Sequence, residues 1–169
     1  SREATIDGMV NALQKAVTTK TRIVAITHVH SGTGVKTPIK EIGAMIAGLN
    51  EKRDAAKRIY FCVDGVHGFG IENISIHDLE VDFFAAGTHK WIFGPRGTGV
   101  LYARKSAWDM IKPIIPSFEF ASYGVWLDLV DPKTLTYGMI QSPGGFHSFD
   151  HRWALPAAFD FQLNIGKAR

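Results

Sequence analysis

The fold is decided by residues 61–101, which read FCVDGVHGFGIENISIHDLEVDFFAAGTHKWIFGPRGTGVL. This stretch holds two apolar runs, and each run ends in a polar cluster. The first ends at Asp64 and His67, and the second ends at Thr88, His89 and Lys90. Ligands of open α/β sheets bind outside the carboxyl ends of the strands. The stretch therefore predicts a binding site at strand ends, with a carboxylate and a lysine as its candidate functional groups.

The apolar pattern on either side of this stretch predicts alternating helices and strands. Unalternated apolar runs are typical of strands buried on both faces of a parallel sheet. Strands are predicted at 23–26, 59–63, 81–86 and 99–103. Helices are predicted at 4–17, from Thr37-Pro38 to about residue 50, at 106–111 and at 153–165, with Thr37 as the N-cap of the second helix and Pro38 at its first position. Residues 113–150, rich in Pro, Gly, Ser and Phe, are predicted to be irregular and at the surface. The pattern indicates an α/β fold with a mostly parallel sheet and flanking helices, in a single domain over residues 1–169.

Composition narrows the classes of function. The 169 residues carry a net charge of only +3, and the Lys and Arg residues are scattered, which argues against a nucleic-acid partner. No apolar run reaches the length of a membrane span, so no membrane partner is expected. The single cysteine, Cys62, excludes an intramolecular disulfide and is predicted to be a buried packing residue. The chain has no initiator Met, and we expect it to be a piece of a longer protein.

A metal site is one interpretation of the histidines. His28 and His30 follow the first predicted strand, and His67, His89 and Asp64 lie at other strand ends. Two histidines two positions apart can ligate one metal ion, which makes a metal-dependent hydrolase the second class of function. With seven histidines in the chain, however, such a pair also arises by chance.

Asp64 and Lys90 allow a different chemistry. A free lysine has a pKa of about 10.4, so a nucleophilic lysine needs a pocket that lowers this pKa, or is held as an imine with a cofactor aldehyde. Pyridoxal phosphate uses such a lysine together with an acid that keeps its ring nitrogen protonated. The alternative is structural: Asp64-Gly65 is a common turn pair, Lys90 can be a surface residue, and GPRGTG (94–99) reads as a tight turn. The residues alone leave both interpretations open.

Three ordered motifs carry a resemblance to a known family. They are THVHSGTGVKTPIKEI (27–42), VDGVHG (63–68) and DFFAAGTHKWIFGPRGTGVLY (82–102). Together they resemble the class V aminotransferase family of fold type I pyridoxal-phosphate enzymes. The segment FHSFDHRWALPAAFDF (146–161) resembles the isopenicillin N epimerase-like branch of that family.

The resemblance implies a role for each candidate residue. Lys90 would be the Schiff-base lysine and would move a proton at the substrate α-carbon, while Asp64 would hold the pyridine nitrogen. His67 and Ser31 would reach the ring hydroxyl. His89 would help to hold the phosphate, and Thr88 is assigned a phosphate contact because Gly87 stands where many relatives have Ser. Ser148 resembles a residue that reaches the phosphate of a neighbouring subunit.

The resemblance also implies the setting of the site. The chain would be the central part of a large cofactor-binding domain, with residues 113–169 as a linker and helix leading toward a small domain. The expected protein is a pyridoxal-phosphate-dependent, homodimeric enzyme that acts on an amino acid or small amine, in an epimerase- or aminotransferase-like reaction. A metal-dependent hydrolase using His28 and His30, or a non-catalytic fragment, are the alternatives.

Overall fold

The computed structural model describes residues 4–112, 120–141 and 148–166. The strands are β1 (Ile23–Thr27), β2 (Tyr60–Asp64), β3 (Phe83–Gly87) and β4 (Gly99–Ala103). The α-helices are α1 (Ile6–Ala16), α2 (Ile39–Asn50), α3 (Phe120–Trp126), α4 (Tyr137–Gln141) and α5 (Phe149–Ile165). Short 3₁₀ helices occur at Ala55–Lys57, Ile76–Leu79, Lys105–Met110 and Pro132–Thr134. None of the described helices is both long and apolar enough to cross a membrane.

The four strands form one sheet in chain order, which confirms the predicted α/β fold. β1 pairs with β2 and β2 with β3 in parallel, and β4 closes the sheet antiparallel to β3. Asp64 at the end of β2 is in register with Thr27 of β1 and Ala85 of β3. Because β2 and β3 are parallel, their carboxyl ends meet at the same edge of the sheet.

One face of the sheet forms the core. Phe61 is fully buried there, and Val63 and Phe84 are at most 5% exposed. These side chains pack in one cluster with the apolar stripe of α2, which supplies Ile39, Ile42 and Ile46. The α2 stripe has the spacing expected for a helix that buries one side.

The other face of the sheet, the open face, is uncovered by the described residues. It carries Ile23, which is 62% exposed, and Leu101, which is 50% exposed, with the exposed Ala25 and Ala85 between them. The prediction that the strands are buried on both faces is therefore wrong for the described part of the chain. Apolar composition alone shows that a strand suits burial, but not that a covering layer is present.

The helix and strand boundaries differ from the predicted ones for local reasons. Helix α1 begins after Thr5, whose hydroxyl accepts the Gly8 N–H at 3.1 Å. Helix α2 was expected to begin with Thr37 as its N-cap, but Pro38 occupies the cap and makes no side-chain capping bond. The third strand begins two residues later than predicted, at Phe83, and Asp82 lies directly before it. Its carboxylate accepts the Phe61 N–H at 2.9 Å and pairs with Arg58 at 2.8 Å.

The chain divides into two compact units, Ser1–Arg104 with Asp150–Arg169, and Lys105–Phe149. The second unit holds α3 and α4, so the prediction that residues 113–150 are irregular is wrong for much of that range. Trp108 stacks on Tyr137 with ring centroids 5.5 Å apart, and Gly124 lies against Val130. Residues 113–119 and 142–147 lie outside the described residues. The predicted helix at 106–111 is a 3₁₀ helix, and the one predicted at 153–165 begins at Phe149.

Candidate functional site

Asp64 ends β2 on the open face and is exposed. One carboxylate oxygen accepts the Val66 N–H at 3.0 Å, which fixes the side chain beside the turn that follows the strand. Among the described residues, the second oxygen accepts no hydrogen bond. That oxygen can therefore accept a proton donor of a ligand, which is what a protonated ring nitrogen requires.

The Lys90 loop, residues 88–98, leaves the end of β3 and returns to the start of β4. Thr88 N–H donates to the Thr98 carbonyl at 3.1 Å, and Gly94 N–H donates to the Thr88 carbonyl at 2.9 Å. Gly97 turns the chain with φ +81°, a left-handed conformation that glycine adopts without strain. The predicted tight turn in GPRGTG is therefore confirmed.

Lys90 and His89 are both exposed on this loop. Among the described residues the Lys90 ammonium has no ion-pair partner, while its carbonyl accepts the Phe93 N–H at 3.3 Å. A Cβ added to Gly87 would come within 2.9 Å of the His89 ring. The imidazole thus occupies the space beside residue 87 that a larger side chain would need.

A shallow, open cavity of about 390 Å³ lies between the two strand ends. It is lined by Asp64, Val66, Ala85, Ala86, Gly87, Gly99, Val100 and Leu101. Its walls on β3 are the small residues Ala85, Ala86 and Gly87, while Gly99, Val100 and Leu101 form the wall on β4, so no large side chain of β3 fills the space beside Asp64. The chemistry of this space suits a flat aromatic ring that carries an anionic group. The Asp64 carboxylate lies at one end of the space, and the His89 imidazole lies beside Gly87 at the other.

The remaining predicted residues lie in neighbouring loops. His67 is half-buried in the turn after β2, where Gly68 and Phe69 both donate their N–H groups to the Gly65 carbonyl. Ser31 is exposed in the loop between β1 and α2. The structure brings Asp64 and Gly87 to one cavity, whereas Ser148 belongs to the second unit, just before α5.

Thr88 is placed differently from the other candidates. Its side chain is fully buried, and its hydroxyl is hydrogen-bonded to the hydroxyl of Thr98. Thr98 was not singled out by sequence reasoning. The only sequence signal for it was its position directly after Gly97 in the predicted turn.

The two histidines of the alternative metal site do not converge. His28 is 2% exposed, and burial lowers the pKa of its ring below the usual value of 6.5. The His30 ring lies in the loop, where its Nδ1 is 3.0 Å from the Thr33 hydroxyl. In the part of the chain that the structure describes, no group of three or more His, Cys, Asp and Glu side chains could hold a metal ion. The metal interpretation is therefore not supported.

Cys62 is half-buried, so the prediction of a buried thiol is wrong in degree. It faces the same side of the sheet as Asp64, because the two residues are two positions apart on β2. Burial raises the pKa of the Cys62 thiol, and the Asp82 carboxylate acts in the same direction. Both effects disfavour the reactive thiolate.

A second cavity, of about 590 Å³, lies on the core side of the sheet. Phe69, Phe84, Ile92, Val100 and Phe159 are among the residues that line it, together with Glu72 and Gln162. It contains none of the predicted site residues. Its apolar walls belong to the packing between the sheet and α5.

Fold and candidate site together define an α/β protein in which polar side chains gather at the carboxyl ends of parallel strands. The family model described as aminotransferase class-V matches residues 2–122, and the chain belongs to that family. A probable cysteine desulfurase of Halalkalibacterium halodurans is 32% identical over 159 residues, which are 93% of this chain and 36% of the relative.

Solved structures show the same architecture. The complex of the cystine C-S lyase C-DES with its product cysteine persulfide has a TM-score of 0.77 and 25% identity, covering 94% of this chain and 40% of that one. A mutant of that lyase, with glycine covalently linked to its PLP cofactor, has a TM-score of 0.77 at 24% identity, with the same coverage of both chains. The predicted fold type I architecture is confirmed. The chain spans 36–40% of the length of these three relatives.

Proposed function

We propose that this chain supplies the central part of a pyridoxal-phosphate site in an enzyme that acts on an α-amino acid. The observation that carries the proposal is the arrangement of two strand ends. Asp64 and the Lys90 loop follow neighbouring parallel strands, and Gly65 N–H donates to the Ala85 carbonyl at 2.8 Å where β2 ends. A carboxylate and a lysine are thereby attached to one edge of one sheet.

Pyridoxal phosphate is the cofactor of the family, and the residues present fit it. When bound, the cofactor supplies an electron sink for chemistry at the substrate α-carbon. Asp64 would hold the ring nitrogen in its protonated form through its free carboxylate oxygen. At about 4 Å and an effective dielectric constant near 20, that attraction is worth roughly 4 kcal/mol, or some three pKa units. The exposed Lys90 amine would hold the cofactor through its aldehyde and move a proton at the substrate α-carbon.

The other contacts follow the same proposal with one change. His89 would bind the phosphate, since its ring takes the space that a side chain at Gly87 would occupy. His67 and Ser31 would contact the ring hydroxyl, and Ser148 the phosphate of a neighbouring subunit in a homodimer. The change concerns Thr88: its hydroxyl is buried against Thr98, so it is not proposed as a phosphate ligand.

The relatives favour a sulfur-containing substrate. The curated relative is named a probable cysteine desulfurase, and the solved structure is a cystine lyase. We therefore propose cysteine or cystine as the substrate, with cleavage of its carbon–sulfur bond. Cys62 would not be the sulfur acceptor, because it lies on a strand, is half-buried and has a raised thiol pKa.

An epimerase-like reaction is the second candidate. It is favoured by the resemblance of FHSFDHRWALPAAFDF (146–161) to the epimerase-like branch, part of which forms α5. The two reactions have different products: carbon–sulfur cleavage releases sulfide or a persulfide, and epimerisation inverts an α-carbon without loss of atoms. Chiral analysis of the amino acid together with a sulfide assay distinguishes them.

An absorbance spectrum tests the proposed function. The protein is incubated with pyridoxal phosphate, freed of excess cofactor and scanned near the edge of the visible range. We expect a band in the wild type and none in Lys90→Ala. Lys36→Ala is the control and should keep the band, because Lys36 pairs with Glu72 and neither residue lines the cavity beside Asp64. Equal bands in the wild type and Lys90→Ala, or no band in the wild type, would refute the proposed function.

A further inference from the structure

The Lys90 loop is closed by a buried pair of hydroxyl groups. Thr88, at its first position, is 0% exposed, and its hydroxyl contacts the hydroxyl of Thr98, at its last position. The backbone is tied at the same place, since Thr88 N–H donates to the Thr98 carbonyl at 3.1 Å. The two ends of the loop are therefore joined by both side chains and main chain.

The direction of these hydrogen bonds follows from the number of protons available. The Thr98 hydroxyl donates its single proton to the Pro95 carbonyl at 2.6 Å. In the bond between the two threonines, Thr88 must therefore be the donor and Thr98 the acceptor. Once its proton is used in this way, the Thr88 hydroxyl has none left to give to an oxygen of a bound phosphate.

The path of the loop leaves little room for Thr88 to turn elsewhere. A Cβ added to Gly94 would lie 3.1 Å from the Thr88 hydroxyl oxygen, so the returning segment passes directly against it. Gly94 N–H also donates to the Thr88 carbonyl at 2.9 Å. Residues 88–94 thus form a tight loop around Lys90, which is itself exposed and has no ion-pair partner among the described residues.

We propose that Thr88 and Thr98 are positioning residues for Lys90, acting through the hydroxyl chain from Thr88 to Thr98 to the Pro95 carbonyl and not through the cofactor phosphate. The proposal rests on the proposed function of Lys90. A long, exposed side chain has many rotamers, and nothing else among the described residues confines its ammonium. The backbone from which Lys90 projects must then be fixed if the amine is to meet an aldehyde in one orientation.

Two variants of Thr98 separate the hydroxyl from the volume of the side chain. Thr98→Val keeps the shape but removes the acceptor of Thr88 and the donor to Pro95, and Thr98→Ser keeps both hydrogen bonds. Thr136→Val is a control in the second unit, where the Thr136 hydroxyl accepts the Met139 N–H at 3.2 Å. Hydrogen exchange of peptides covering 60–64 reports whether each variant keeps the sheet.

The decisive measurement compares two aldehydes. The Lys90 amine condenses with the aldehyde with loss of water, borohydride then adds hydride to the resulting carbon–nitrogen double bond, and mass spectrometry of peptides gives the rate of labelling at Lys90. Pyridoxal phosphate and pyridoxal, which lacks the phosphate, are used in parallel. We expect Thr98→Val to slow labelling at Lys90 by both aldehydes by a similar factor, about fivefold or more for a lost hydrogen bond of average strength, and Thr98→Ser to restore it.

Other outcomes overturn the proposal in distinguishable ways. A reduced rate with pyridoxal phosphate alone would mean that the threonines act through the phosphate. Unchanged labelling in Thr98→Val, with faster hydrogen exchange in residues 88–98, would mean that the pair stabilises the loop without positioning Lys90. Absence of Lys90 labelling in the wild type would refute the proposed function and this proposal with it, whereas a fault in this proposal alone leaves wild-type labelling intact.

Discussion

Gly65 is the position at which the site tolerates least change. It directly follows Asp64, and its N–H donates to the Ala85 carbonyl at 2.8 Å. A Cβ added there would lie 2.6 Å from one ring carbon of Phe84 and closer still to two others. We predict that Gly65→Ala destabilises the protein and disturbs Asp64.

The magnitude follows from the packing around Phe84. Carbon atoms pack best at about 3.5–4.0 Å, so the ring would have to move by more than about 1 Å. Phe84 is 5% exposed and meets Phe69 edge-on, with ring centroids 6.2 Å apart, and both rings line the 590 Å³ cavity, so a displaced Phe84 ring loses packing but has some room to move. Overpacking of cores costs about 1–3 kcal/mol. Because the neighbouring cavity can take part of the displacement, we expect a loss of about 2 kcal/mol in the free energy of unfolding.

The assay is guanidinium unfolding of Gly65→Ala beside a matched control. Gly48 is exposed in α2, and a Cβ added there meets no atom within 4 Å. Gly48→Ala should therefore stabilise the protein by about 0.5–1 kcal/mol through helix propensity. If Gly65→Ala were as stable as the wild type, the close packing of the turn after β2 on Phe84 would be refuted.

Two further predictions concern buried polar groups. Burial lowers the pKa of His28, so the unfolded chain takes up a proton near pH 6.5 where the folded chain does not, and stability should fall as the pH drops below about 6.5. In unfolding titrations from about pH 7.5 to 5.5, the free energy of unfolding of His28→Gln should fall less steeply than that of the wild type. An identical slope in the two proteins would contradict the assignment of this pH dependence to His28. Asp82→Ala leaves the Phe61 N–H and Arg58 without their carboxylate partner. It should lower the free energy of unfolding by about 3 kcal/mol, which is the lower end for a buried pair, because Arg58 is partly exposed. Asp54→Ala removes only the exposed pair with Lys57 and should cost at most about 0.5 kcal/mol, and similar costs for the two variants would contradict the burial of Asp82.

The sequence predicted the elements that local pattern controls. The apolar stripe of α1, the run that forms β2 and the glycine turn at Gly97 all appear close to where they were expected. The placement of Asp64 and the Lys90 loop at one edge of the sheet was predictable for the same reason, because parallel pairing brings residues that follow buried runs to one edge. Asp64 and Lys90 could be named from the sequence because their positions depend on strand ends alone.

What escaped prediction depends on contacts between distant parts of the chain. Thr88 is assigned a phosphate contact from the sequence because Gly87 stands where many relatives have Ser, and the sequence does not show that Thr98 returns to meet Thr88. The buried carboxylate of Asp82, just before β3, was not foreseen, because its partners, the Phe61 N–H and Arg58, lie on a distant segment of the chain. The open face could not be foreseen either, since the same apolar residues suit a covered strand and an uncovered one.

The most direct test of the account is to find which lysine takes up the cofactor. The protein is incubated with pyridoxal phosphate, reduced with borohydride and digested, and the pyridoxyl group is located by mass spectrometry. We predict one labelled peptide, containing Lys90, with labelling weakened in Asp64→Asn. Labelling spread over several lysines, or confined to one other than Lys90, would contradict the central claim that Asp64 and Lys90 hold the same cofactor.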